Sequence, residues 1–137
     1  MDFRLDSLVK LALEEDVGFG DITTRLTVSP EAVGSAVIVA RKRLILSGLA
    51  AALAAFRLTD GELSVSLTAA DGDELKAGAV ILQVRGRAAS ILTAERVALN
   101  FLGHLSGIAT LTEKFVRASR LADGSGPKIL DTRKTTP

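Results

Sequence analysis

The sequence predicts an α+β chain: helices and short strands alternate over most of its 137 residues, and the start of an α/β barrel follows, truncated after one strand. Three observations support this. Apolar side chains recur at three- and four-residue spacing in 3–15 and 88–105, the period of a helix buried on one face. Residues 33–40, 63–68 and 79–84 are rich in β-branched side chains or alternate apolar with polar, as strands do. Finally, a Gly126-Pro127 loop leads into Lys128-Ile129-Leu130-Asp131, a short strand that delivers Thr132, Arg133 and Lys134 at its C-terminal end, where barrel strands place functional groups.

The first helix, Phe3 to Glu15, carries Leu5, Leu8, Val9, Ala12 and Leu13 on one face, with Asp2 as a cap. Asp16-Val17-Gly18-Phe19-Gly20-Asp21 ends it in a tight turn, because two glycines open backbone angles closed to other residues and Asp21 can accept from neighbouring amides. Val33 to Ala40 is a strand, and Arg41-Lys42-Arg43 after it reads as a solvated, basic strand end. Alanine-dominated Gly48 to Leu58 is a helix slim enough to pack close to a sheet. Leu63 to Thr68 runs out, Asp71-Gly72-Asp73 turns the chain, and Ala79 to Val84 returns as a second strand. The stretch from Asp71 to Leu82 looks like the turn-and-strand pattern of biotin- and lipoate-carrying domains; the likeness is architectural, since biotin carriers flank their lysine with methionines and Met1 is the one methionine here.

Ala88 to Leu105 is the most informative helix. Ile91, Ala94, Ala98, Phe101, Leu102 and Leu105 form its apolar stripe, while Arg96, Asn100 and His104, with Thr93 before them, align a guanidinium, an amide and an imidazole on another face. Spacing alone is equally satisfied by a polar face turned to water, and a lone histidine near a helix end reads as a capping or packing residue. Ser106-Gly107 is expected to break the helix, and a further helix from Ile108 to Leu121 to bury Leu111, Phe115 and Ala118. The chain then divides at 107, into a first domain over 1–107 and a linker helix with the first barrel strand over 108–137.

Composition narrows the function classes. Residues 1–75 hold 7 basic and 12 acidic side chains, whereas 76–137 hold 10 and 4, so the second part favours anions although the whole chain is +1. No cysteine and a single histidine exclude a disulfide scaffold, a thiolate metal site and a Cys nucleophile; no metal ligand and no catalytic residue is assigned. The N-terminal residues lack the apolar core of a secretory signal, and the longest uncharged runs, 44–56 and 97–112, fall short of the roughly 20 residues that span a bilayer. A cytoplasmic location without a membrane partner is expected. Five aromatic residues, all Phe, offer no stacking platform for nucleic acid.

Three segments together are specific: Leu13-Glu14-Glu15-Asp16-Val17-Gly18-Phe19-Gly20-Asp21-Ile22-Thr23-Thr24; Ala94-Glu95-Arg96-Val97-Ala98-Leu99-Asn100-Phe101-Leu102 with Leu105-Ser106-Gly107-Ile108-Ala109-Thr110; and Asp131-Thr132-Arg133-Lys134-Thr135-Thr136-Pro137. In this order and spacing the chain resembles the quinolinate phosphoribosyltransferase family, also called nicotinate-nucleotide pyrophosphorylase (carboxylating). The molybdenum-transport paralogue of the same fold shares the first two segments, and Thr135-Thr136 favours the quinolinate enzyme. A non-catalytic dimerisation or binding module is the alternative from another class.

The resemblance implies an N-terminal α/β-hammerhead sandwich, a C-terminal open α/β barrel, and a homodimer or a higher assembly of dimers. It implies transfer of phosphoribosyl from phosphoribosyl pyrophosphate to quinolinate with loss of CO2, in NAD biosynthesis, and Mg²⁺ accompanying the pyrophosphate with ligands outside this chain. By the same resemblance Arg96 crosses to the partner subunit's active site, while Thr132, Arg133 and Lys134 lie at the substrate. The residue types suit such roles: a guanidinium binds a carboxylate of the planar dianion through two parallel charge-assisted hydrogen bonds, an ammonium adds a compact charge, and a hydroxyl adds a donor. The family's remaining basic, acidic and glycine-rich phosphate-binding residues have no match here, so the 137-residue chain alone is expected to be inactive.

Overall fold

A computed structural model describes the chain except Met1, Asp2, Phe19, Ala122, Asp123, Arg133, residues 135–137 and the side chain of Phe3. The expected Asp2 cap therefore lies outside the described residues. The elements are α1 (Phe3–Val17), α2 (Ile22–Thr27), β1 (Val33–Val39), β2 (Leu44–Ile45), α3 (Leu49–Thr59), β3 (Ser64–Leu67), β4 (Glu74–Leu75), β5 (Val80–Arg87) and α4 (Ala88–Ser119). The architecture is mixed α and β, and the described residues form no closed barrel.

The strand β5 is central to an antiparallel sheet of order β1-β5-β3, and β2 pairs with β4 in a separate two-residue ladder. Along β1 the side chains alternate strictly, with Gly34, Ala36 and Ile38 turned inward. The pairing slips between Ile38, opposite Leu82, and Val39, opposite Val80. Ile81 is the extra residue of this bulge, which is why Ile81 and Leu82 are buried side by side where alternation would expose one. The expected return of 79–84 against 63–68 is present, with Val65 opposite Val84.

The helix α4 lies against the sheet, α3 packs on α4, and α1 packs on both helices. Alanines at 51, 52, 54 and 55 let α3 approach its neighbours closely, and Phe56, Leu46, Leu82, Val9 and Val84 are the largest fully buried side chains of the one core cluster. On α1 the inward residues are Val9, Leu5, Ala12 and Leu13; Leu8, expected on that face, is half exposed. Gly48 begins α3 at φ +105°, and a Cβ there would stand 2.9 Å from Leu105 Cδ1 and 3.2 Å from the Phe101 carbonyl. Since glycine offers no capping side chain, the first amide of α3, Leu49 N–H, donates instead to Asp71 Oδ1 at 3.1 Å.

The largest departure from expectation is α4. It runs unbroken for 32 residues through Ser106-Gly107. Ser106 is buried, its hydroxyl accepts from Ser47 N–H (3.0 Å) and donates to the Ser47 carbonyl (3.1 Å), and Thr110 Oγ1 accepts from Ile45 N–H (2.9 Å). These bonds fix the helix to β2 and the segment after it, and offset the roughly 1 kcal/mol that each helical glycine costs. A second brace lies further along, where Glu74 accepts from Arg43 and Arg117 (2.7 Å each) and Glu113 pairs with the same two arginines. The basic knot is thus only partly a solvated strand end: Arg41 and Lys42 are exposed, while Arg43 is an ion-pair partner. The face of α4 that carries Leu111, Phe115 and Ala118, expected to be buried, is exposed. The expected strand 128–131 is absent as well, because no described strand lies alongside to accept its backbone hydrogen bonds.

Asp60 locks the end of α3 to the start of α4. Its buried carboxylate accepts from Arg87 Nε (2.9 Å), Ser90 Oγ (2.7 Å) and Glu62 N–H (3.0 Å). Arg87 first, then Ser90 and that amide, hold its pKa far below the ordinary 3.8. A carboxylate with a depressed folded-state pKa stabilises the fold above its unfolded value and loses that contribution as pH falls through the folded one. Thermal unfolding followed against pH should therefore show Asp60→Asn well below the parent above about pH 5, with the gap closing steadily under acid. A gap that stayed constant down to strong acid would remove the carboxylate's charge from the explanation.

Candidate functional site

Burial of Ile91, Ala94, Val97, Ala98 and Leu102 fixes the rotation of α4, and this leaves Arg96, Asn100 and His104 exposed in a row one turn apart. Thr93 precedes them, half-buried. The expectation for His104 changes: the helix neither ends nor packs there, so it caps nothing and faces solvent.

Arg96 does not stand free. Its Nε donates to both oxygens of Asp16, at 3.2 and 3.0 Å, across 80 residues of sequence. The turn after α1 sets that carboxylate. Gly18 N–H donates to the Glu14 carbonyl (3.0 Å) and Gly20 N–H to the Val17 carbonyl (2.8 Å), with φ of +51° and +125° at the two glycines. Asp21 then caps α2, accepting from Thr24 N–H (3.0 Å) and Thr24 Oγ1 (2.7 Å). Those two bonds, the amide first, hold the Asp21 pKa below its usual value, and nearby Arg96 adds to the effect. In the other direction Asp16 raises the pKa of Arg96, chiefly through the hydrogen bond, so this guanidinium stays charged at any workable pH. The turn-and-cap reading of 16–21 holds for Asp21, while Asp16 also serves as an ion-pair partner. The helix α2 had not been expected: it has six residues, and its apolar side chains Ile22 and Leu26 face solvent, so it carries no periodic signal.

Between α1 and α4, alongside the polar row, lies an open concavity of about 540 Å³ lined by Ala12, Glu15, Asp16, Val97, Asn100, Phe101 and His104. Hydrogen-bonding groups and one aromatic edge thus surround a space beside a permanent cation. The remaining expected site residues lie elsewhere. Thr132 and Lys134 are exposed, joined by a Lys134 N–H bond to Thr132 Oγ1 at 3.3 Å, and neither bonds to Arg96; Arg133 lies outside the described residues. Among the described residues no group of three or more His, Cys, Asp or Glu side chains is placed to hold a metal ion, and no helix is long and apolar enough to cross a membrane.

Comparison with known proteins gives a consistent result. The model of the family described as "Quinolinate phosphoribosyl transferase, N-terminal domain" matches residues 21–106. A probable nicotinate-nucleotide pyrophosphorylase [carboxylating] of Bacillus subtilis is 41% identical over 134 residues, covering 98% of this chain and 45% of its own. Quinolinate phosphoribosyltransferase [decarboxylating] 2b, mitochondrial, of Nicotiana tabacum is 39% identical, covering 98% and 37%. The crystal structure of NadC from Streptococcus pyogenes superposes with a TM-score of 0.92 at 38% identity, over 100% of this chain and 48% of that one. The chain spans less than half the length of each of these relatives.

Proposed function

The chain belongs to the quinolinate phosphoribosyltransferase family, and on that premise we propose that it supplies the N-terminal domain and the substrate-facing arginine of an enzyme making nicotinate mononucleotide, pyrophosphate and CO2 from quinolinate and phosphoribosyl pyrophosphate. One observation carries the reading: Arg96, inside the matched region, is exposed beside a polar concavity, and among the described residues only its Nε is engaged. The Nη1 and Nη2 edge is the fork that takes a carboxylate through two bonds.

In this reading 1–107 form the sandwich domain and 108–137 lead into the barrel, with α4 running through the junction. Arg96 serves a second subunit of a homodimer, since Thr132 and Lys134 of its own chain do not meet it. Thr132, Arg133 and Lys134 bind substrate at the barrel. A cytoplasmic location goes with the cysteine-free composition. The residues described here do not fit a metal, so the Mg²⁺ that accompanies phosphoribosyl pyrophosphate is assigned to ligands outside this chain and carries no step in it.

The full-length gene product, given quinolinate, phosphoribosyl pyrophosphate and Mg²⁺, should release nicotinate mononucleotide, pyrophosphate and CO2 in equal amounts, and the 137-residue chain alone should release none. A full-length product that leaves quinolinate unconsumed would overturn the reading.

A further inference from the structure

We infer that Asp16 is a positioning residue for the substrate-binding arginine, holding the Arg96 guanidinium by its Nε edge so that the Nη1 and Nη2 edge is presented to a carboxylate; the inference rests on the proposed role of Arg96. Four observations converge on it. Both Asp16 oxygens accept from the same Nε–H, at 3.2 and 3.0 Å, and among the described residues neither Nη of Arg96 has a hydrogen-bond partner. The carboxylate is the fixed member of the pair: its side chain is 25% exposed against 52% for Arg96. It sits in the last turn of α1, two residues before Gly18 and four before Gly20, which close the turn through backbone bonds. And α1 itself is clamped to α3 and α4, with Arg57 donating to Asp6 at 2.6 Å further up the helix.

An arginine has several freely turning bonds, and binding through its terminal fork requires them all to be set. A carboxylate on the side edge sets them before the ligand arrives and leaves four N–H donors unspent. The electrostatics run the other way. Asp16, with Asp21 close by, lowers the positive potential that a dianion would meet, so charge alone predicts tighter binding when Asp16 is neutralised, whereas positioning predicts weaker binding. The sign of the effect separates the two.

The test uses the full-length gene product. Asp16→Asn should raise KM for quinolinate by about tenfold with a much smaller change in kcat, Asp16→Glu should recover part of the loss, and Asp16→Asn should have no further effect in an Arg96→Ala background. Thermal unfolding of Asp16→Asn should stay close to the parent, as expected for a half-exposed ion pair. An unchanged or lowered KM in Asp16→Asn, or additive losses in the double variant, would overturn the positioning role while leaving that of Arg96 intact. Parental kinetics in Arg96→Ala itself would overturn both.

Discussion

Arg96→Ala in the full-length gene product is expected to lower kcat/KM for quinolinate by about 100- to 1,000-fold, the equivalent of removing two charge-assisted hydrogen bonds worth roughly 1.5–3 kcal/mol each, less what water restores. The loss should be confined to the ligand's carboxylate: KM for phosphoribosyl pyrophosphate should move little. The fold should not suffer, because the side chain is half exposed and its partner Asp16 stays solvated at the domain surface. Mixed dimers sharpen the test. A subunit carrying Arg96→Ala, paired with one carrying Arg133→Ala, forms one site that retains both arginines and one that lacks both. Random mixing of the two inactive variants in equal amounts should then recover about a quarter of the parental activity, since half the dimers are mixed and half of their sites are intact. No recovery would mean that Arg96 acts within its own subunit, and the assignment of its face to an intersubunit contact would fall.

Periodicity made much of this fold legible before any coordinates. α1, β1, α3 and the apolar stripe of α4 each bury a regular set of side chains, and each emerged within two residues of the expected bounds, except at the C-terminal end of α4. What failed, failed for tertiary reasons. Ser106-Gly107 reads as a helix breaker, but Ser106 is buried and bonded to both backbone groups of Ser47, a contact 59 residues away that no local pattern can announce. Leu111 and Phe115 repeat at helical spacing as if buried, yet spacing tells which side of a helix is apolar, not whether anything lies against it. The two-residue strands β2 and β4 are too short for any period to show. The candidate site divides in the same way. Arg96 and its polar row were legible from four-residue spacing, whereas Asp16 could be read only as part of a turn. Its pairing with Arg96 follows from the packing of α1 on α4, in a core to which Val9 of α1 and Ala98 of α4 both belong, not from the motif in which Asp16 occurs.

That packing is where the second large effect is expected. Phe56→Ala should destabilise the 137-residue chain by about 3–5 kcal/mol, a large part of the roughly 5–15 kcal/mol that holds a domain folded. Phe56 is 1% exposed and is among the largest fully buried side chains, and the two residues before it in α3, Ala54 and Ala55, have no reach with which to fill the space it leaves. Urea unfolding should show a midpoint far below that of the parent with little change in slope. Leu11→Ala on α1 is the matched control. Leu11 is 63% exposed on the outer side of that helix, so its loss should shift stability by no more than about 0.5 kcal/mol. Equal effects from the two substitutions would mean that Phe56 does not belong to the packed core. The contrast bears on function because α3 is the element on which both α1 and α4 rest. When Phe56 no longer braces it, the two helices that carry Asp16 and Arg96 lose their common support. The full-length Phe56→Ala protein should consequently lose affinity for quinolinate at temperatures below its unfolding transition, although residue 56 lies in the core and touches no substrate.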